Sequence, residues 1–357
     1  MTEPVSSSLG AAPSDPPGSR RFAGVDAARG VALCGMLLAH YVLARETGEP
    51  GWLRAAESVA DGRAAPLFCV LLGVGSGLYL RRRTSEQLAR RGLVLFVIGL
   101  AIWPFVDRVF LILPHYGLLL AVVALCARLR DRWLLGLTAA AWLVPSVVVA
   151  TGDAHGLRTA TQPASYGELL DVGHLVWQLL WSGGYPVVGW VGFALAGLWV
   201  ARRDLGDRRT QLLLVAGGVG LAATQLLAVP VRSALLTEAE APGGLTALFD
   251  STAHANQLAW YLASAGSALA VLGACLLLAE HVPLRGAVAL GRCALSLYVL
   301  HLVIGAVLVW PWLDDEPLVI QLTSLVSIIV ALTVAAIAWQ RTVGQGPLEA
   351  LLRRLAR

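Results

Sequence analysis

The chain has 357 residues, of which 57% are apolar and only 14% are charged, and its formal net charge is +4. Soluble domains average about 45–50% apolar and about 25% charged residues, so this composition argues against a soluble fold. All 27 basic side chains are arginines. They cluster at the ends of apolar segments, as the positive-inside rule predicts for a membrane protein, and this placement argues against a nucleic-acid partner.

The first twenty residues are rich in Pro, Ser, Gly and Ala and contain no apolar core before a cleavage site. They predict a disordered cytoplasmic tail and no signal peptide. The cysteines stand singly in or beside apolar segments, without the paired spacing of a zinc site or a secreted disulfide framework. We therefore expect no metal site and assign a packing role to all five, which are Cys34, Cys69, Cys126, Cys275 and Cys293.

Ten apolar segments predict membrane helices. A bilayer core of about 30 Å needs roughly 20 helical residues, and fewer where neighbouring helices shield the region. The predicted fold is an all-α, polytopic bundle of about ten transmembrane helices over residues 21–342, between the tail at 1–20 and a short basic cytoplasmic tail at 343–357. The predicted helices run from Val31 to Ala44, Pro66 to Leu80, Gly92 to Phe105, Val109 to Cys126, Trp133 to Ala150, Pro186 to Ala201, Gln211 to Val229, Gln257 to Leu278, Ala294 to Trp310 and Leu318 to Trp339.

The distribution of arginines predicts that both termini lie in the cytoplasm. With that orientation, 21 arginines fall in the inner loops and tails and only six in the outer loops. Flipping the orientation or omitting one helix destroys the agreement with the positive-inside rule. The acidic residues of the loops are concentrated on the outer side.

One outer stretch contains an apolar piece, Val176 to Trp181, that is too short to span the membrane and is followed by Gly183 and Gly184. It could be a re-entrant helix that breaks at the glycine pair, provided that protein or water covers the backbone there. It could equally be an interfacial helix with a tryptophan anchor.

The second predicted helix carries three regularly spaced glycines, Gly73, Gly75 and Gly77. The first and third form a Gly-xxx-Gly pair, which permits close contact between helices. They do not resemble a phosphate-binding loop, because no strand precedes them and no lysine follows.

Two segments place an arginine at the inner end of a helix and a histidine deeper along it. His40 follows Arg29 by eleven residues, or roughly 16 Å at about 1.5 Å per residue, and His301 follows Arg292 by nine. Asp26 lies close to Arg29 before the first predicted helix. Histidines at these depths could face a cavity or could bond to a neighbouring helix, and Asp26 and Arg29 could be a site or ordinary helix-end charges.

Three further ionisable residues lie near the outer ends of helices. Asp61 and Arg63 precede the second predicted helix near the level of His40, and His115 follows Pro114 at the outer start of the fourth. They could line an outer vestibule together with His40. Alternatively, Asp61 and Arg63 form a solvated loop pair of little energetic consequence.

Five patches of the sequence occur in a recognisable order, namely GVDAARGVALCGMLLAHY, DGRAAPLFCVLLGVGSGLYL, LPHYGLLLAVVAL, GGYPVVGWVGFALAGLWVARR and GRCALSLYVLHLVI. Together they resemble the membrane acetyltransferase family of heparan-alpha-glucosaminide N-acetyltransferase and its bacterial relatives. They span roughly Arg21 to Trp310, and the first two are the most specific. The resemblance implies a multi-helix enzyme that uses cytoplasmic acetyl-coenzyme A to acylate a sugar amine or hydroxyl on the other side of the membrane.

The resemblance also implies roles for individual residues. Asp26, Arg29 and Gly30 match the family's Val-Asp-x-x-Arg-Gly motif, and Asp61 matches the acid before its second core helix. His115 lies where relatives often carry a polar or basic residue before glycine. One departure is important, because His40 stands where the lysosomal member has a functional asparagine, and that member's loop histidine has no counterpart between Tyr41 and Pro66.

We therefore expect a membrane acyltransferase with acetyl-coenzyme A as donor, a carbohydrate or cell-envelope acceptor, and a location in the cytoplasmic membrane. His40 is the leading candidate base, because neutral imidazole accepts a proton near pH 7. The other candidate catalytic residues are Asp61, His115 and His301, and the candidate coenzyme ligands are Asp26, Arg29 and Arg63. A transporter and a non-catalytic relative of the family are the alternatives, and a homodimer is left open.

The predicted topology can be tested with reporter fusions. Fusions after Arg83, Arg132, Arg209 and Arg357 should report a cytoplasmic location, because each follows an arginine-rich inner segment. Fusions near Asp153 and Glu240 should be external. An exported reporter at Arg132 would contradict the map.

Overall fold

The computed structural model describes residues 22–42, 62–106, 108–151, 166–235, 244–313 and 316–356. Within these ranges the protein contains helices joined by turns and loops and no β-strand, as predicted. The predicted disordered tail at 1–20 and the candidate residue Asp61 lie outside the described residues.

Sixteen α-helices are present in the described ranges, together with short 3-10 and π turns. The first eight are α1 (Ala23–Tyr41), α2 (Ala64–Leu80), α3 (Ser85–Ile102), α4 (Leu113–Cys126), α5 (Asp131–Thr151), α6 (Tyr166–Leu169), α7 (Val172–Trp177) and α8 (Val187–Val200). The others are α9 (Arg208–Ala222), α10 (Thr224–Leu235), α11 (Leu258–His281), α12 (Arg285–Arg292), α13 (Ala294–Ile304), α14 (Trp310–Leu313), α15 (Leu318–Thr342) and α16 (Pro347–Leu355).

Six helical stretches of the described chain are long and apolar enough to cross a membrane, or seven if one bent pair counts as a single span. They establish a polytopic membrane protein. Helices α2 and α4 are apolar but shorter than 18 residues, and α1 carries two charged residues in its first turns. Ten crossings and cytoplasmic termini stay predictions.

The start of α1 and the carboxyl-terminal segment show two features that hydropathy did not predict. Helix α1 begins at Ala23 instead of Val31, so that Asp26 and Arg29 belong to the helix itself. A prediction from hydropathy leaves charged residues out of a membrane helix. Here the two charged residues form an ion pair with each other. The segment at 343–357 that was predicted as a short basic tail contains α16, whose residue Leu352 is buried.

The short apolar piece that was predicted on the outer side forms a broken helix. Helix α7 continues into a π turn at Gln178–Ser182, and the chain then bends by 52° before α8 begins. The break falls at Gly183 and Gly184, as the first of the two alternatives had it. Both a broken span and a re-entrant loop fit this geometry.

Helix α1 lies at the centre of the bundle and contacts α2, α11, α12, α13 and α15. Its contact with α12 depends on two glycines. A β-carbon on Gly291 would lie 1.7 Å from the backbone oxygen of Asp26, and one on Gly30 would lie 2.1 Å from that of Ala287. Any side chain at either position would therefore force the two helices apart.

The glycines of α2 make a second close contact. A β-carbon on Gly73 would lie 1.9 Å from the backbone oxygen of Ala194 in α8, and one on Gly77 would lie 2.4 Å from Cβ of Ala201. The predicted packing role of this pair is confirmed. Gly75 instead faces the guanidinium of Arg29, at 2.7 Å from the position of the missing β-carbon.

Substitution of Gly291 by alanine should lower the thermal stability of the detergent-purified protein. The added methyl group would overlap backbone, and overpacking of this kind typically costs about 1–3 kcal/mol. The matched control is Gly217→Ala in α9, where no atom lies within 4 Å of the added β-carbon. A Gly291→Ala protein as stable as the control would contradict the close α1–α12 contact.

Candidate functional site

A cavity of about 420 Å³ lies between α1, α2, α3, α4, α13 and α16. One end holds four arginines, Arg29, Arg91, Arg292 and Arg353, with two acids, Asp26 and Glu349. The other end is lined mainly by apolar and aromatic side chains. The cavity is therefore amphipathic along its length, with a cationic mouth and an apolar interior.

The two acidic side chains at the mouth form ion pairs or hydrogen bonds within the protein. Asp26 is 3% exposed, and its carboxylate accepts a hydrogen bond from Arg29 Nη1 at 2.7 Å. Its second oxygen lies 3.5 Å from Nε of Arg292. A single buried carboxylate thus joins the first turns of α1 to the end of α12.

Arg91 and Arg353 supply positive charge that the acids at the mouth do not neutralise. The guanidinium of Arg91 lies over the ring of Tyr79, 4.6 Å from its centroid. Arg29 and Arg353 are both close enough to act electrostatically on Arg91. Since like charges in proximity are unfavourable, this cluster favours an anionic ligand.

Helix α16 forms one side of the mouth and is fixed by Glu349. The carboxylate of Glu349 accepts hydrogen bonds from the backbone nitrogens of Leu295 at 2.7 Å and Ser296 at 3.2 Å, and from the hydroxyl of Ser296. A carboxylate at the start of α13 satisfies otherwise unpaired N–H groups and complements the helix dipole. Arg353 reaches the cavity because this contact holds α16 in place.

A pair of histidines lies beyond the apolar end of the cavity. His40 Nδ1 and His301 Nε2 are 3.0 Å apart, at hydrogen-bonding distance, and both residues are buried. Tyr298, which lines the cavity, has its ring centroid 5.2 Å from that of His301. Met36, another lining residue, precedes His40 by about one helical turn.

The backbone around the two histidines is also bonded across helices. Tyr41 donates its hydroxyl to the backbone oxygen of His301 at 2.7 Å. Trp310 donates Nε1 to the backbone oxygen of His40 at 3.1 Å. The end of α1 is therefore locked to α13 and α14, which fixes the orientation of both rings.

His115 is buried close to the apolar end of the cavity, which Leu113 lines. Its ring centroid lies 5.6 Å from that of Trp103 and 5.7 Å from that of Tyr185. None of the three predicted catalytic histidines is among the residues that line the cavity. His40 and His301 are in contact with each other, whereas His115 contacts Trp103 and Tyr185.

Arg63 is not among the residues that line the cavity. Its guanidinium donates to the side-chain oxygen of Gln225 at 2.6 Å, to the backbone oxygen of Trp260 at 3.3 Å, and to the hydroxyl of Ser264. It thereby connects the start of α2 to α11. Of the three predicted coenzyme ligands, only Asp26 and Arg29 lie at the mouth.

His254 is a residue that the sequence gave no reason to select. It stacks on Trp190 at a centroid distance of 6.3 Å, contacts Tyr185 edge-on at 5.8 Å, and lies near enough to His40 to act on it electrostatically. A lone histidine in a loop between apolar segments carries no pattern of its own. Arg91 and Arg353 were also missed, because arginines at helix ends are ordinary in membrane proteins.

In its described residues the chain is thus an all-helical membrane protein with a cationic cavity and, beyond the apolar end of that cavity, a buried histidine pair. The chain matches the family model described as heparan-alpha-glucosaminide N-acetyltransferase, catalytic, over residues 21–236. It therefore belongs to this family of membrane acyltransferases. A second family model, described as a protein of unknown function (DUF418), matches residues 195–357. No curated protein matches the chain at a significant level.

Residues from both matched segments line the cavity. Arg29 and Arg91 belong to the part matched by the acetyltransferase model, whereas Arg292, His301 and Arg353 lie in the part matched only by the second model. The carboxyl-terminal third of the chain therefore completes the mouth of the cavity and the histidine pair.

The contact between Glu349 and α13 can be tested by limited proteolysis. Glu349→Ala should speed trypsin cleavage at Arg353 and Arg354 by about 2–30-fold, because losing a helix cap costs about 0.5–2 kcal/mol. The control is Glu86→Ala, since Glu86 pairs with Arg90 on an exposed surface of α3. Equal cleavage rates in the two variants would show that Glu349 does not hold α16.

Proposed function

We propose that the protein transfers an acyl group from acyl-coenzyme A, bound at the arginine-lined mouth, to an acceptor that reaches the histidines from the opposite side of the membrane. One observation carries the proposal: the cavity has a cationic mouth and an apolar interior, and the His40–His301 pair lies beyond its apolar end, in contact with the lining residue Tyr298. Membership of the acetyltransferase family supports the same reaction class.

The donor fits the polarity of the cavity. Coenzyme A carries several phosphates and a long, less polar arm that ends in the thioester. Guanidinium groups bind phosphate through paired hydrogen bonds, and Arg29, Arg91 and Arg353 are placed to provide them at the mouth. The thioester would then lie deeper, towards Tyr298. The acetyl group is the donor's acyl group in this proposal, in keeping with the family.

The histidine pair supplies a base in this proposal. If Nδ1–H of His40 donates to Nε2 of His301, then Nε2 of His40 is left as an acceptor. The acceptor's oxygen or nitrogen attacks the thioester carbonyl carbon while its proton moves to His40 Nε2. The C–S bond then breaks, and the departing thiolate takes that proton, which restores neutral imidazole.

The acceptor is proposed to be a sugar hydroxyl or amine, or a similar group of the cell envelope, on the side opposite the arginine clusters. The predicted orientation would make that side external and would place the enzyme in the cytoplasmic membrane. His115 and His254 flank the approach, and either could hold the acceptor by hydrogen bonding. Asp61 stays a candidate for orienting the base.

The proposal can be tested by measuring release of free thiol from acetyl-coenzyme A by the purified protein. A panel of amino sugars and envelope glycans should contain acceptors that raise the rate and become acetylated.

A transporter is the second candidate, because the break between α7 and α8 resembles the interrupted helices of carriers. Uptake of substrate into vesicles without thiol release would favour the transporter and contradict acyl transfer.

Substitution of His40 should lower the rate of acyl transfer without changing the affinity for coenzyme A. His40→Asn can still offer an amide N–H to His301 but cannot accept the proton, so turnover should fall by about 10²–10⁴-fold. Binding of coenzyme A, measured by calorimetry, should be unchanged. His281→Asn is the control, because His281 is exposed at the end of α11. Full activity of His40→Asn would show that His40 is not the base, and Asp61, His115 and His301 would then be the candidates.

A further inference from the structure

A second groove, of about 560 Å³, lies where α11 ends, α12 begins and α15 ends. Its lining includes three arginines, Arg285, Arg292 and Arg341, and no acidic residue among those described. Arg285 and Arg341 are exposed. The acid at the end of α11, Glu280, is not part of the lining and accepts a hydrogen bond from Gln211 at 2.8 Å.

The remaining walls of the groove are apolar. Val282, Val288 and Ile337 line it, and Val282 is 48% exposed. Gln340 donates to the backbone oxygen of Ala289 at 2.7 Å, which ties α15 to α12 and keeps the groove in shape. The groove thus combines a cationic rim with an apolar wall in a preformed cleft.

The location of the groove is at a membrane boundary. Helices α11 and α15 are both long and apolar enough to span the bilayer, and both end at the groove. Arginines that close a span lie at the depth of lipid phosphates, whereas the preceding turns lie at the depth of the acyl chains. Ile337 lies one turn before Arg341 and therefore falls on the acyl-chain side.

We propose that this groove binds an anionic phospholipid, with its phosphate held by Arg285 and Arg341 and an acyl chain against Val288 and Ile337. Basic pockets between membrane helices are suited to anionic lipid headgroups, and guanidinium groups bind phosphate in a bidentate manner. The amino terminus of α12 adds partial positive charge, because its capping residue, Leu284, offers no side-chain acceptor. The apolar wall favours a lipid over free phosphate.

The proposal can be tested on the full-length protein in neutral detergent with phosphatidylglycerol as the probe. Native mass spectrometry should show retained phosphatidylglycerol, and thermal unfolding should shift upwards as that lipid is added. The double variant Arg285→Gln/Arg341→Gln should bind it about tenfold more weakly or worse, since charge-assisted contacts are lost. Arg292 is left unchanged because it also pairs with Asp26 and lines the main cavity.

The matched control is Arg208→Gln/Arg209→Gln, which removes two exposed arginines from the start of α9 without touching the groove. It should retain lipid binding. Equal loss in this control would show a general charge effect and overturn the site. Equal stabilisation by phosphatidylcholine or by inorganic phosphate would contradict an anionic lipid as the ligand. Unchanged binding of phosphatidylglycerol by the Arg285→Gln/Arg341→Gln variant would contradict the groove as the site. Arg341→Gln alone should show an intermediate loss.

Discussion

The pairing of α1 with α12 and α13 is the constraint on which the rest of the structure depends. At one end Asp26 binds Arg29 and Arg292, and at the other His40 meets His301. Buried charge is tolerated only when it is paired, so the carboxylate requires both helices to be present. Gly30 and Gly291 make the required closeness possible. Because Asp26 and His40 lie near opposite ends of α1, the same pairing fixes the distance between the mouth of the cavity and the histidine pair.

The site is therefore a product of the whole chain. The acetyltransferase family model ends at residue 236, but the cavity is completed by α13 and by α16, which Glu349 fixes to the bundle. This explains why a carboxyl-terminal segment matched to a family of unknown function matters for the proposed chemistry. It brings Arg353 to the donor side and His301 to the base. The groove proposed to bind lipid lies between α11, α12 and α15 and shares Arg292 with the cavity.

Several features could be predicted from residues alone because they depend on local composition. Hydropathy located the apolar helices, and the spacing of Gly73 and Gly77 predicted a close helix contact that α8 provides. The repeated order of an arginine and then a histidine marked the two segments that pair. The start of α1 was misplaced by eight residues, because hydropathy treats Asp26 and Arg29 as charges without partners.

By itself the sequence determined an all-helical membrane protein, its arginine-rich side and the histidines worth testing, because each follows from how a residue partitions between water and lipid. Only the tertiary structure decided which of them meet. His40 and His301 are 261 positions apart in the chain, yet they share a hydrogen bond. Arg63 was expected near the donor but bonds to α11 instead, and His254 lies near His40 without any sequence signal. Contacts between distant segments arise from packing geometry, which spacing along one chain does not encode.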